Sequence, residues 1–164
     1  MATSAKNLSA YDKSEVVNGE NYKVGIAVSE WNESITGNLL KGAIETLLKH
    51  KVKQENIHVQ FCPGSYELPL TSQFFLDSKE VDGVLAIGSV IQGETPHFNF
   101  VCEAVSQGIK DVGLKYNKPV IFCVLTDNTL KQAKERSGGK HGNKGVECAV
   151  ALMKMITIRK NFYR

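Results

Sequence analysis

Two hydrophobic periods alternate along this chain. Tyr22-Lys-Val-Gly-Ile-Ala-Val28 is a short apolar run with β-branched residues, which predicts a strand. Behind it Ile35, Leu39, Leu40, Ala43, Ile44, Leu47 and Leu48 recur at helical spacing, with Asn32 or Ser34 placed to cap the helix. Ile57, Val59 and Phe61 alternate with His58 and Gln60 as a second strand, which Cys62-Pro63-Gly64 breaks. Ser65 opens another helix, with Glu67 in its first turn and Phe74, Phe75 and Leu76 later. Val81 to Ile91 predicts a third strand, and Phe98, Val101, Cys102, Val105, Ile109 and Val112 form the apolar face of the helix after it. Pro119-Val-Ile-Phe-Cys-Val-Leu125 predicts a fourth strand, followed by a polar turn over Thr126 to Thr129. A short helix covers about 129–136 and ends at Gly138-Gly139. A last helix runs from about Asn143, with Val146, Ala149, Val150, Met153 and Ile156 on one stripe.

This β-α-β-α-β-α-β-α order implies an α/β fold, a four-stranded parallel sheet with helices on both faces. Ligands of such folds bind outside the carboxyl ends of the strands. Topology therefore converges Trp31-Asn32, Gly64-Ser-Tyr-Glu67, Gly88 to His97 and the residues from Thr126 onward. Residues 1 to about 20 are polar and rich in Ser, Asn and Lys, and read as an arm; residues 21–164 read as a single domain. No internal repeat or low-complexity segment is present.

Composition narrows the class. A chain of 164 residues with 42% hydrophobic and 23% charged residues suits one soluble globular domain. The net charge of +3, with basic residues scattered apart from Arg159-Lys160 and Arg164, does not point to nucleic acid. No apolar run reaches the roughly 18 residues that cross a bilayer, and Met1 to Ser14 has no apolar signal core, so the expectation is a cytoplasmic protein. Cys62, Cys102, Cys123 and Cys148 form no CxxC pair, which argues against zinc and for buried free thiols in a reducing compartment.

The stretch Gly88-Ser-Val-Ile-Gln-Gly-Glu-Thr-Pro-His97-Phe98 carries the most chemistry. A glycine-rich turn between strand and helix presents backbone N–H groups to an anion. Thr95 adds a hydroxyl and His97 an imidazole that moves protons near neutral pH. It is not a P-loop, because Glu94 stands where the phosphate-neutralising Lys is required, and there is no GxGxxG fingerprint. Each residue also has a plainer reading: a tight turn for Gly88 and Gly93, a first-turn hydrogen bond for His97, core packing for Trp31, a helix-dipole charge for Glu67, and solvated cations for Arg136 and Lys144.

Taken together, Trp31-Asn32, Pro63-Gly-Ser-Tyr-Glu-Leu-Pro69, Gly88 to Phe98, Pro119-Val-Ile-Phe122 with Leu125-Thr126, and Gln132-Ala133 through Arg136 to Gly142-Asn-Lys-Gly145 resemble the 6,7-dimethyl-8-ribityllumazine synthase family in order and spacing. The resemblance spans about residue 20 to the C-terminus. It implies a three-layer flavodoxin-like sandwich and a transferase of riboflavin biosynthesis that joins 5-amino-6-(D-ribitylamino)uracil to 3,4-dihydroxy-2-butanone 4-phosphate, with no metal or organic cofactor. It also implies the roles. His97 transfers protons, oriented by Glu147. Glu94, Thr95 and Arg136 hold the phosphate. Trp31 stacks on the pyrimidine, and Ser65, Tyr66 and Glu67 hold the ribityl chain and ring. Ser89, Val90 and Ile91 line the other edge, Phe122 comes from a neighbouring subunit, and Lys144 lies near the substrates. Trp31 and Tyr66 stand where the family commonly has Phe. Its members assemble as pentamers, some as a shell of twelve pentamers. The uninterrupted Gly138–Gly145 loop resembles the shell formers, and riboflavin synthase is a further expected partner. The competing readings are the archaeal-type riboflavin synthase, which dismutates two lumazines, and a shell or carrier protein that binds flavin-like ligands without turnover.

Overall fold

A strand buried on both faces needs an unbroken apolar run rather than alternation, and β1 (Val24–Ser29) is such a strand, with all six residues buried. The computed structural model describes residues 7–16, 18–78 and 80–163. Beside β1 lie β2 (Ile57–Cys62) and β3 (Gly83–Ile91), and beyond β3 lies β4 (Val120–Asp127). All pairings are parallel and the strand order is β2-β1-β3-β4. Helices α1 (Glu33–Lys49), α2 (Leu68–Ser78) and α3 (His97–Tyr116) connect successive strands, and α4 (Leu130–Arg136) and α5 (Lys144–Phe162) follow β4. This is the α/β flavodoxin-like arrangement expected from the sequence.

Two apolar layers hold the sheet between the helices. On one face Ile26, Val28, Leu85, Ile87, Cys123 and Leu125 pack against Ile35, Leu39 and Leu47 of α1 and Ala149, Met153 and Ile156 of α5. On the other, the smaller Ala27, Val84, Ala86 and Val124 face Leu68 and Phe75 of α2 and Val105, Ile109 and Val112 of α3. Alternate residues of each strand therefore serve opposite layers, as the pleat requires. Each Leu or Ile fully buried here stabilises the fold by about 1.5–3 kcal/mol. Cys62, Cys123 and Cys148 are buried, Cys102 is half-buried, and all four are free thiols.

Several expectations change in detail. Ser65–Glu67 forms a short 3-10 turn, and α2 begins only at Leu68. Asn32 stands at the start of α1 but makes no side-chain cap: its backbone is left-handed rather than extended, and its Nδ2 donates to Ser89 O instead. The predicted stop at Gly138-Gly139 is a small antiparallel ribbon, β5 (Ser137–Gly139) with β6 (Gly142–Asn143), and Gly138 and Gly142 adopt positive φ there. Val59 and Phe61, apolar positions of the alternating strand, are 37% and 50% exposed, since β2 is a sheet edge.

The first twenty residues are also not a detached arm throughout. Leu8 N–H donates to His141 O at 2.8 Å, the Ser9 hydroxyl accepts from Asn143 N–H at 2.9 Å, and Tyr11 Oη lies 2.9 Å from His50 Nε2. Val16 belongs to the α1/α5 core. These side chains were hidden in a polar composition because so few of them are apolar. Residues 1–6 and 17 of the expected arm, and Arg164, lie outside the described residues.

Candidate active site

The carboxyl ends of the four strands open on one side of the sheet, and most of the predicted residues gather there. Asn32 follows β1 in the left-handed conformation (φ 60°, ψ 44°), which Asn tolerates better than most residues. Its Nδ2 donates to Ser89 O on β3 at 2.8 Å. That bond fixes the turn carrying Trp31, whose ring is 72% exposed and is therefore not core. Across from it, Gly64 admits a close approach: a Cβ there would stand 3.0 Å from Glu67 Oε2 and 3.4 Å from Trp31 Cδ1. Trp31 and Glu67 thus flank one spot beside the β2 end. The 3-10 turn of Ser65–Glu67 presses on β3, where a Cβ on Gly88 would lie 2.6 Å from Ser65 Oγ.

The hydroxyls of Ser29, Ser65 and Ser89, like that of Ser72 on α2, are buried without a hydrogen-bond partner among the described residues. Buried orphan hydroxyls are costly, and three of these stand at the carboxyl ends of β1 and β3 and on the turn between β2 and α2. Tyr66 is exposed, and Val90 and Ile91 are half-buried at the end of β3.

The second half of the site is built by β3 and β4. Ser89, Val90 and Ile91 stand in register with Leu125, Thr126 and Asp127. The pairing continues one step further, Gln92 N–H donating to Asp127 O at 2.9 Å. The chain then turns through exposed Gly93, Glu94 and Thr95 to His97, the first residue of α3, with no side chain capping that helix. Thr129 starts α4 with a reciprocal capping box to Gln132, which aims the helix back so that its last residue is Arg136. Arg136 Nη1 sits 3.7 Å from Asp127 Oδ1. Burial pushes the Asp127 carboxyl up, and the neighbouring guanidinium opposes that rise.

Three predicted groups lie elsewhere within the chain. Phe122, half-buried on the edge strand β4, is opposite Ala86, three positions before the Ser89 level. Lys144 opens α5 and its Nζ contacts Glu147 Oε1 at 2.7 Å. Burial works against the Lys144 ammonium, but the Glu147 hydrogen bond, with the electrostatics of Cys148, Glu147 and Cys123, outweighs it and its pKa is raised. The Cys148 thiol, one residue on, donates to Phe122 O at 3.8 Å. Since α5 and α3 pack on opposite faces of the sheet, Glu147 does not meet His97 within one chain. The exposed His97 ring has no partner among the described residues. A groove of about 580 Å³, lined by Ile109, Leu114, Pro119, Met155, Ile158 and Phe162, belongs to the other end of β4 and holds no predicted site residue.

The model of the 6,7-dimethyl-8-ribityllumazine synthase family matches residues 21–160. The chain belongs to that family. Proteins of this name are similar to it over nearly their whole length. The one from Christiangramia forsetii is 50% identical over 100% of this chain and 99% of its own. That from Porphyromonas gingivalis is 51% identical over 98% and 99%, and that from Flavobacterium johnsoniae 52% identical over 98% and 84%. The chain is accordingly an enzyme, a transferase, and the lumazine synthase family catalyses the penultimate step of riboflavin biosynthesis. No helix among the described residues is long and apolar enough to cross a membrane.

The pairing of Asp127 with Arg136 and the bond from Asn32 to Ser89 escape sequence reasoning. Asp127 looks like one more residue of a polar turn. The available signal was its position directly after an apolar strand, where side chains face the ligand end of a parallel sheet.

Proposed function

We propose that the lumazine-forming condensation takes place at this carboxyl-end cluster, in a single domain spanning residues 21–164. Trp31 stacks on the pyrimidine, whose other edge meets Ser89, Val90 and Ile91, while Ser65, Tyr66 and Glu67 hold the ribityl chain. The Glu94-Thr95 turn and Arg136 bind the butanone phosphate, the turn through N–H groups and the Thr hydroxyl, the guanidinium through its planar fork. An amine of the pyrimidine attacks the ketone and water leaves as an imine forms. His97 takes up a proton as the phosphate departs, and the second amine closes the ring with loss of a second water. Orientation of two bound substrates supplies much of the acceleration. No metal or organic cofactor enters this scheme.

One observation carries the reading: residues from four separate segments, Trp31, Ser65–Glu67, Gly88–Ser89 and Arg136 through Asp127, meet at one end of the sheet. The open surroundings of His97 and the edge position of Phe122 support a site completed by a second copy, which brings Phe122, and Glu147 with Lys144, to the neighbour's His97. Large exposed apolar groups, among them Phe61, Phe74, Phe100, Leu114 and Phe162, support assembly into a homopentamer. The uninterrupted loop from Gly138 to Gly145 supports a shell of twelve pentamers; riboflavin synthase as a partner and a cytoplasmic location belong to the same reading of the chain as a riboflavin-pathway enzyme. Light scattering that returns five chains of 18.1 kDa, about 90 kDa, removes the shell and keeps the pentamer.

The deciding experiment is steady-state kinetics with both substrates, followed by lumazine absorbance and phosphate release. Arg136→Ala raises the KM for the butanone phosphate by at least about tenfold, the loss of charge-assisted hydrogen bonds, and leaves the KM for the pyrimidine within about twofold. An effect confined to the pyrimidine overturns the assignment. Consumption of lumazine without the butanone phosphate would favour the riboflavin synthase reading instead.

A further inference from the structure

Arg136 cannot serve a phosphate from an arbitrary position, because a long cation on the last turn of a short helix has many rotamers. We propose that Asp127 is the positioning residue that holds the Arg136 guanidinium ready for the phosphate.

Three observations carry this. The Asp127 carboxylate is the acidic partner of Arg136, with Oδ1 3.7 Å from Nη1. The side chain belongs to a residue only 7% exposed, and its Oδ2 is buried with no hydrogen-bond partner among the described residues, so it is not a solvated surface charge. A buried carboxylate without a full set of donors is retained where the charge has a task. The main chain of the same residue accepts from Gln92 N–H at 2.9 Å, which ties Asp127 to the end of β3. Asp127 is thus fixed through its backbone to β3 while its side chain faces Arg136. At 3.7 Å the contact is a charge attraction rather than a hydrogen bond. The five N–H groups of the guanidinium therefore remain available, and the side chain pays less conformational entropy when a phosphate arrives.

The inference rests on the phosphate role of Arg136, and a double-mutant cycle separates the two. In the full-length protein, Asp127→Ala raises the KM for the butanone phosphate about three- to tenfold, the cost of re-ordering one rotamer-rich side chain. Its KM for the pyrimidine stays within about twofold. In an Arg136→Ala background the same substitution produces no further change, because the residue it positions is gone. Asp127→Asn has the same shape and loses the charge; it follows the same pattern and serves if the Ala variant does not fold. An unchanged or lowered KM in the Asp127 variants, or an equal rise on both backgrounds, overturns the positioning role. If Arg136→Ala itself leaves the KM for the butanone phosphate unchanged, the phosphate assignment fails first and the positioning role falls with it.

Discussion

Replacing Gly88 by Ala tests how the sheet meets the site. The two glycines of Gly88-x4-Gly93 look equivalent in the sequence, but their surroundings differ. A Cβ on Gly88 would lie 2.6 Å from Ser65 Oγ, 2.9 Å from Leu68 Cδ1 and 3.3 Å from Ser65 Cβ. Ser65 is buried and Leu68 is fully buried, so neither side chain swings away freely. Relief requires the 3-10 turn to withdraw from β3, and overpacking of this kind costs about 1–3 kcal/mol. For a chain of this size each kcal/mol lowers Tm by about 2–4 °C, so Gly88→Ala melts about 2–12 °C below the parent. A Cβ on Gly93 meets nothing within 4 Å and no positive φ constrains it. Gly93→Ala therefore keeps its Tm within about 2 °C. Both variants are melted at one protein concentration, since association makes Tm concentration-dependent. The displaced Ser65–Glu67 turn also raises the KM for the pyrimidine in Gly88→Ala. Equal melting of the parent and Gly88→Ala, or equal loss in both variants, would refute the close-approach argument.

Three other outcomes are expected. His97→Ala lowers turnover about 10²-fold while the enzyme still binds the pyrimidine, by steady-state kinetics and titration; unchanged turnover removes His97 from proton transfer. Gly145→Ala places a Cβ 2.0 Å from the Leu39 carbonyl oxygen, a backbone atom that no rotamer change clears. Its loss in chemical denaturation is about 3 kcal/mol or more, and a midpoint equal to the parent's contradicts the tight α1–α5 packing. Burial, with the charges of Lys49 and Lys13, lowers the His50 pKa below its ordinary 6.5. The unfolded chain therefore binds the proton more readily, and stability is lost as pH falls through about 6.5 towards the lower folded value. Tm drops between about pH 7.5 and 5.5, and drops less in His50→Gln; an identical drop in both assigns it to other groups.

The sequence by itself determined the alternation of strands and helices, because burial on two faces and on one face leave different periods in the chain. It also determined the family, because Trp31-Asn32, Pro63–Pro69, Gly88–Phe98, Pro119–Phe122 with Leu125-Thr126, and Gln132-Ala133 through Arg136 to Gly145 keep their order and spacing. Local patterns carry such information because strand and helix are short-range structures. Tertiary structure alone decided what meets what. Asp127 beside Arg136, Asn32 on the Ser89 carbonyl and Ser65 against Gly88 are contacts between residues of different segments. Only the parallel register of β3 and β4 and the return of α4 bring the first pair to the same end as the others. The polar start of the chain shows the same limit: Leu8, Tyr11 and Val16 are too few to make a hydrophobic pattern, yet ribbon, histidine and core were already in place to receive them. Composition records how much a segment can bury, and the fold supplies the surface against which it is buried.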